Sequence, residues 1–370
     1  MKFSCERDVL LEALSTAGRA VTGRGASLPV LSGVRLEVRG DNLDVAGSDL
    51  DLTIRVQSEV RGSADGVCVI PARTVTEITR ALDPGAVTIE SDEDEAHLSS
   101  GRYHSTIRAL PAADFPRVPA LSDDGQGDSA VTLEVADLAE ALGQVVRAAS
   151  SDDARPILTG VLMAAEEGGL RLVATDSYRL AVRDLPGRSV LGEGQQVLVP
   201  SKALSELQRL LPGVPEVRLT LGDHDATFDV AGVRLTTRLI EGEFPNYRQL
   251  VPESYPNRLV VDKEAVLAAL RRVRLLARDA TTPVRLVFGP DALELTVVTS
   301  EVGQASEDVD AKYEGAELTV AFNPSYLLDG IEAIAGEEVA LDTTDALRPA
   351  VIRDTGSEEY LYLLMPVRVS

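Results

Sequence analysis

The chain has 370 residues, too many for one core and suited to two or three domains. Apolar residues make up 44% and aromatic residues 4%, with no Trp, so the core must be built from Leu, Val, Ile and Ala. A balance of 36 Lys and Arg against 59 Asp and Glu leaves a net charge of −23, which excludes nucleic-acid binding by long-range electrostatic grip. No run reaches the ~18 apolar residues of a membrane span, and the start, MKFSCERDVL, has no signal-peptide core. Cys5 and Cys68 read as buried reduced thiols, so the chain is expected to be cytoplasmic.

In chain order, the first periodic segment is ERDVLLEALSTAGRAV (6–21), a helix with Val9, Leu10, Ala13, Leu14 and Ala17 on one face. Three strand-like runs follow. A second strand-turn-helix, VCVIPARTVTEITRAL (67–82), precedes three more alternating runs. The acidic run SDEDE (91–95) falls where a turn between strands belongs. ALSDDGQGDS (120–129) is polar and Gly-rich and reads as a linker.

The same order then recurs. VADLAEALGQVVRAA (135–149) is a helix with Leu138, Ala141, Leu142 and Val145 on one face. LRLVATDSYRLAV, just after it, is a hairpin related to GSDLDLTI (47–54) and TSEVGQAS (299–306). QVLVPSKALSELQRLL (196–211) follows, with Ser201 as the expected N-cap, and VPESYPN (251–257) is a second linker. DKEAVLAALRRVRLLARD (262–279) carries Val266, Leu267, Leu270 and Val273 on one face. LTVAFNPSYLLDGIEAI (318–334) closes the series, with Asn323 as its N-cap. The pattern predicts six β-α-β-β-β modules paired into three α+β domains, 1–122, 129–252 and 257–370.

Catalytic signatures are missing. No G-x-x-x-x-G-K-[ST] is present, and GRGAS (23–27) has neither its spacing nor its lysine. The three histidines, His97, His104 and His224, read as scattered surface residues without metal-ligand spacing. SDEDE and SSDD (150–153) could suggest Mg²⁺, but adjacent loop carboxylates point in several directions and octahedral Mg²⁺ uses one or two fixed ones. No G-x-S-x-G elbow appears. The chain is expected to have no catalytic residues, no metal and no cofactor.

The six-module plan resembles the bacterial DNA polymerase III β sliding clamp over the whole chain. The resemblance is carried by LPVLSGVRLEV (28–38), LPAADFPRVP (110–119), RPILTGVLM (155–163), ATDSYRLAV (174–182), EGEFPNYRQLVP (241–252), FNPSYLLDGI (322–331) and YLLMPVRV (362–369). It implies the DNA clamp fold: a head-to-tail homodimeric ring of six domains, with helices lining a hole that duplex DNA threads. Such a ring confers processivity on the replicative polymerase and holds DNA by topology, which removes the difficulty posed by the charge.

The resemblance also implies partners and sites. Partners are double-stranded DNA, the replicative polymerase subunit with its 3′–5′ exonuclease complex, the clamp loader, repair polymerases, mismatch-repair proteins, ligase and a second copy of the chain. Implied DNA contacts are Arg24, Arg73, Arg80, Lys202 and Arg209. The helix at 262–279 adds Lys263, Arg271, Arg272, Arg274 and Arg278, whereas 323–335 offers only Asp329 and Glu332. The implied dimer contact sets Leu275 and Leu276 against Arg102 and Ile107.

A peptide-docking groove is implied at Leu158, Thr175, Ser177, Tyr178, Arg179, Leu180, Pro245, Leu250, Asn323, Tyr326, Leu363, Met365, Pro366, Val367 and Arg368. There Leu180 and Leu363 are expected to meet an apolar anchor. Met365 supplies an adaptable wall, and Arg179 and Asn323 are expected to fix the peptide backbone. Ser177-Tyr178, Gln249 and the terminus MPVRVS depart from the family's common residues. They point to the alternative of a paralogue specialised for inhibitor resistance or non-replicative scaffolding. An acidic-site nuclease is the third reading.

Overall fold

A computed structural model describes residues 1–21, 28–118, 130–166, 169–187, 191–192, 194–252, 254–277 and 282–368. Six α-helices stand among them: α1 (Arg7–Ala17), α2 (Ala72–Ala81), α3 (Val135–Val145), α4 (Ser201–Gln208), α5 (Lys263–Val273) and α6 (Pro324–Glu332). Each follows a strand and precedes three, so the six-module pattern holds throughout. Around α1, for example, Lys2–Glu6 comes before and Gly33–Arg39, Asn42–Ser48 and Leu52–Glu59 come after. No helix among the described residues is long and apolar enough to cross a membrane.

The helix cores follow the predicted faces, with two adjustments. Leu138, Ala141, Leu142 and Val145 of α3 and Val266, Leu267, Leu270 and Val273 of α5 are all buried, but Val9 of α1 is 38% exposed. Thr16 takes the buried place instead, at the end of the helix. All three first-module helices are shorter than their apolar pattern. Each tightens into a 3₁₀ turn, at Gly18–Ala20, Val146–Ala148 and Arg274–Leu276, where carbonyls left without an α partner take i+3 donors instead. Asp262 caps α5, accepting from the Ala265 N–H at 2.8 Å, and Asn323 caps α6 as expected. Ser201 is not a cap: it is the first residue of α4, one position inside the helix.

Contacts divide the chain into two compact units, Met1–Val135 with Glu206–Leu239, and Ala136–Ser205 with Ile240–Ser370. The first holds a five-stranded and an eight-stranded antiparallel sheet; the second holds one twelve-stranded sheet. Within the first unit, strand Leu52–Glu59 pairs with Val233–Arg238. Within the second, Arg179–Leu185 pairs with Tyr360–Leu364. These are corresponding places in the repeat: the third strand of one third of the chain meets the last strand of the next. Two strands in those roles keep an open side among the described residues. Tyr103–Arg108 is the edge of the five-stranded sheet, and residues 303–310 of Gly303–Glu314 pair only with Ala292–Thr299.

Two smaller expectations can be settled. The SDEDE run is a turn, with Asp92 Oδ1 accepting from the N–H groups of Asp94 and Glu95 at 2.9 Å each. The histidines are less scattered than expected. His97 and His104 sit on paired strands, opposite Thr106 and Ser99 respectively. No cluster of three metal-ligating side chains occurs among the described residues.

Candidate peptide groove and helix faces

The site begins at a turn. Thr175, Asp176, Ser177 and Tyr178 link strands Gly169–Thr175 and Arg179–Leu185, and the chain reverses through a positive φ of 79° at Ser177. Asp176 Oδ1 holds the reversal by accepting from the Tyr178 and Arg179 N–H groups at 2.9 and 3.0 Å. The Thr175 hydroxyl donates to the Arg179 carbonyl at 2.6 Å, and Arg155 donates to Ser177 Oγ at 3.1 Å. The turn therefore holds Tyr178 outward, 60% exposed, and Arg179 inward, 9% exposed.

Arg179 ties the hairpin to α6. Its Nε donates to Asp176 Oδ2 at 3.0 Å, its Nη1 pairs with Asp329 Oδ2, and its guanidinium carbon lies 4.3 Å from the Tyr326 ring centre. Burial works against its charge, but Tyr362, Asp329 and Asp176 outweigh burial and raise the guanidinium above its ordinary value. Tyr178 stacks on Tyr326, with centroids 6.5 Å apart and planes at 29°. Asn323 Oδ1 accepts from Ser325 and Tyr326 at 2.9 and 3.2 Å, so the cap also sets the place of that ring. The Tyr362 hydroxyl donates to the Tyr326 carbonyl at 2.9 Å, and burial pushes that hydroxyl's pKa up. Gly330 lets α6 approach: a Cβ there would stand 2.5 Å from the Tyr362 ring.

The C-terminal segment completes the wall. Met365 N–H donates to the Tyr178 carbonyl at 2.9 Å, and Val367 N–H to the Ala321 carbonyl at 2.7 Å. Beneath lies a cluster of Leu162, Val173, Leu180, Val182, Phe244, Tyr247, Val351 and Leu363, with Ile157 and Ile240 packed against it. Leu180 and Leu363 are 1% and 2% exposed, so they are floor and not contact surface, a correction to their expected role. Thr175 and Leu158 are buried as well. The accessible apolar groups are Tyr178, Met365 at 40% and Leu250 at 49%, beside exposed Pro245 and Ser177 and partly buried Pro366 and Val367; Arg368 is exposed. The roles expected of Arg179 and Asn323 also change. Nε and Nη1 of Arg179 and Oδ1 of Asn323 are committed within the chain, so both residues position the site. Ile157, Phe244, Tyr247 and Tyr362 were missed because their packing partners lie far along the chain.

The expected DNA-facing cations are largely countered. Arg73 pairs with Glu77 at 2.8 Å and Arg209 with Glu206 at 2.8 Å, although Arg73, Arg80, Lys202 and Arg209 are all exposed. On α5, Lys263 donates to the Ile334 carbonyl, Arg271 pairs with Glu332 at 2.9 Å, and Arg272 pairs with Glu307. Arg24 and Arg278 lie outside the described residues, as do Val369 and Ser370. At the expected dimer contact Leu275 is 78% exposed and Leu276 half-buried. Arg102 is exposed, but Ile107 is buried in its own sheet at 7% and offers little surface.

Comparison with known proteins divides the chain in three. Residues 1–119, 132–246 and 248–368 match the N-terminal, central and C-terminal domains of the DNA polymerase III beta subunit. The beta sliding clamp of Streptomyces coelicolor is 35% identical and that of Pseudomonas putida 32%, each match covering 100% of both chains. Among solved structures, the DNA polymerase III subunit beta of Pseudomonas aeruginosa has 30% identity and a TM-score of 0.89. A Bartonella birtlesii sliding clamp bound to griselimycin has 30% identity and a TM-score of 0.92, both covering 100% of each chain. The three-domain plan, the repeat and these likenesses agree: the chain belongs to the DNA polymerase III beta subunit, or β sliding clamp, family.

Proposed function

We propose that this chain is a non-catalytic processivity clamp that encircles duplex DNA as a head-to-tail dimer and docks partner peptides against Tyr178, Leu250 and Met365. The open strand edges carry the reading. Residues 303–310 have the repeat position of Leu52–Glu59 and Arg179–Leu185, and Tyr103–Arg108 has that of Val233–Arg238 and Tyr360–Leu364. Each of the latter is already paired with its counterpart. A second copy supplies the missing pairings for both remaining edges, and two such heterologous joints close a ring. Leu275, exposed beside the 303–310 edge through the Arg272–Glu307 pair, extends that joint.

Threading suits the charge. Paired cations such as Arg73 and Arg209 leave weak, exchangeable phosphate contacts, which permit sliding, and a net charge of −23 discourages DNA from binding the outside. Polymerase, clamp-loader and repair-protein peptides are the proposed ligands of the groove, in the cytoplasm, with domain limits at 1–122, 129–252 and 257–370. The decisive experiment is retention on nicked circular duplex DNA followed by release on linearisation. Equal release before and after cutting would refute encirclement. Leu275→Asp combined with Leu276→Asp should give folded monomers by sedimentation, and a persisting dimer would remove the joint.

A further inference from the structure

The groove does not end at the hairpin. Asp329, on α6, pairs through Oδ2 with Arg179, while its Oδ1 lies 3.7 Å from Arg147 Nη1. Arg147, just past α3, is also 3.4 Å from Glu332 Oε2, and Glu332 Oε1 accepts from Arg271 of α5 at 2.9 Å. Three acids and three bases thus alternate without a break: Asp176, Arg179, Asp329, Arg147, Glu332, Arg271. Asp176 and Arg179 are buried at one end, Arg147 is about one-third exposed, and Arg271 is exposed at the other.

We propose that Asp329 is a positioning residue that couples the peptide groove to the helices, so that duplex DNA at Arg147 and Arg271 tightens the hold on a docked peptide. The inference rests on the groove and DNA readings above. Phosphates compete with Asp329 and Glu332 for the two arginines, as they compete for any exchangeable cation. Once Arg147 is drawn off, Asp329 has Arg179 alone to serve. The guanidinium is then held more firmly over Tyr326, and with it the Tyr178–Tyr326 stack that forms the groove's rim. Asp329 has differential contacts in the two states, which coupling requires.

The test uses the full-length dimer, free and loaded on nicked circular duplex DNA, with a fluorescein-labelled peptide from the clamp-binding segment of a polymerase subunit read by anisotropy. The wild type should bind the peptide about fivefold tighter on DNA, at the low end of ordinary couplings. Arg147→Ala should bind at the DNA-bound level in both states. Asp329→Asn should bind more weakly in both and lose the dependence on DNA. Met365→Ala should bind more weakly yet keep it. A wild type indifferent to DNA, or Asp329→Asn with the full dependence, overturns the coupling. Wild-type affinity in Met365→Ala overturns the groove reading instead. Should Asp329→Asn fail to fold, Glu332→Gln carries the test: beside its bonds to the Gly143 and Asp329 carbonyls, Arg147 then has the Asp329 carboxylate as its one remaining acidic partner of the relay, and the dependence should exceed that of the wild type. An unchanged dependence overturns the proposal.

Discussion

The turns at 48–53 and 175–180 share one backbone. Asp49 Oδ1 accepts from Asp51 and Leu52 at 3.1 and 2.7 Å, as Asp176 does from Tyr178 and Arg179 at 2.9 and 3.0 Å. Leu50 and Ser177 take φ of 84° and 79°, and a hydroxyl from Ser48 or Thr175 accepts from each of their N–H groups at 3.2 Å. Their side chains part company two residues later. Leu52 fills the first turn's inner place with apolar bulk at 2% exposure, whereas Arg179 fills the second with a charge joined to Asp176 and Asp329. The repeat supplies a rigid support, and a change of a few side chains on one copy turns the support into the candidate site. The third copy drops the aspartate: Thr299 holds its turn, with its Oγ1 accepting from Gly303 N–H at 3.2 Å.

Substitutions at matched positions sharpen the contrast. Asp176→Ala should have the largest effect, because it removes the turn bonds and strips a buried guanidinium of one partner. Denaturant unfolding should show a loss of about 3 kcal/mol, with peptide affinity abolished. Asp49→Ala loses the turn bonds without stripping Arg179 of a partner and should cost about 1 kcal/mol with peptide binding intact; equal losses at both sites would erase the distinction. Gly330→Ala should fall between these two, at roughly 2 kcal/mol, as the added methyl pushes α6 off Tyr362, and it should weaken peptide binding at a distance. Leu50→Gly and Ser177→Gly relieve the same left-handed strain and should each raise stability by about 0.5 kcal/mol in thermal melts. The smallest effect concerns pH. Arg271 holds the Glu332 carboxyl below its usual range. Its ion pairs therefore contribute fully above that usual value and fade as pH falls through the lower folded one. The stability gap between wild type and Glu332→Gln should close on acidification and stay constant from pH 6 to 8.

Much of this was legible in the sequence because repetition is a global signal. Helix faces at 3.6 spacing and strand runs between polar turns recur six times, and α3 and α5 bury the residues that the pattern names. What was not legible depends on partners remote in sequence. Arg179 and Asp329 are 150 residues apart, so an arginine that looks like a rim donor proves to be a buried tie. Likewise Asp329 and Glu332, expected as the acids of a helix that offers no base, are counter-ions to Arg147, Arg179 and Arg271. Leu180 and Leu363 announce themselves as apolar, but only the pairing of strands Arg179–Leu185 and Tyr360–Leu364 places them opposite each other as floor. Local propensity also overstated helix length, since nothing in the apolar period marks the switch to a 3₁₀ turn.

The two open edges bear unlike charge. The edge strand from Tyr103 carries His104 and Arg108, with Arg102 just before it, while 303–310 carries Glu307, Asp308 and Asp310. Bare strand margins ordinarily invite indiscriminate sticking between molecules. In the proposed dimer, copies meeting acid to acid, or base to base, would repel, and the opposed match is favoured. In the proposed ring, unlike charge thus sets the direction of joining, head to tail, and the angle between copies decides that the series closes.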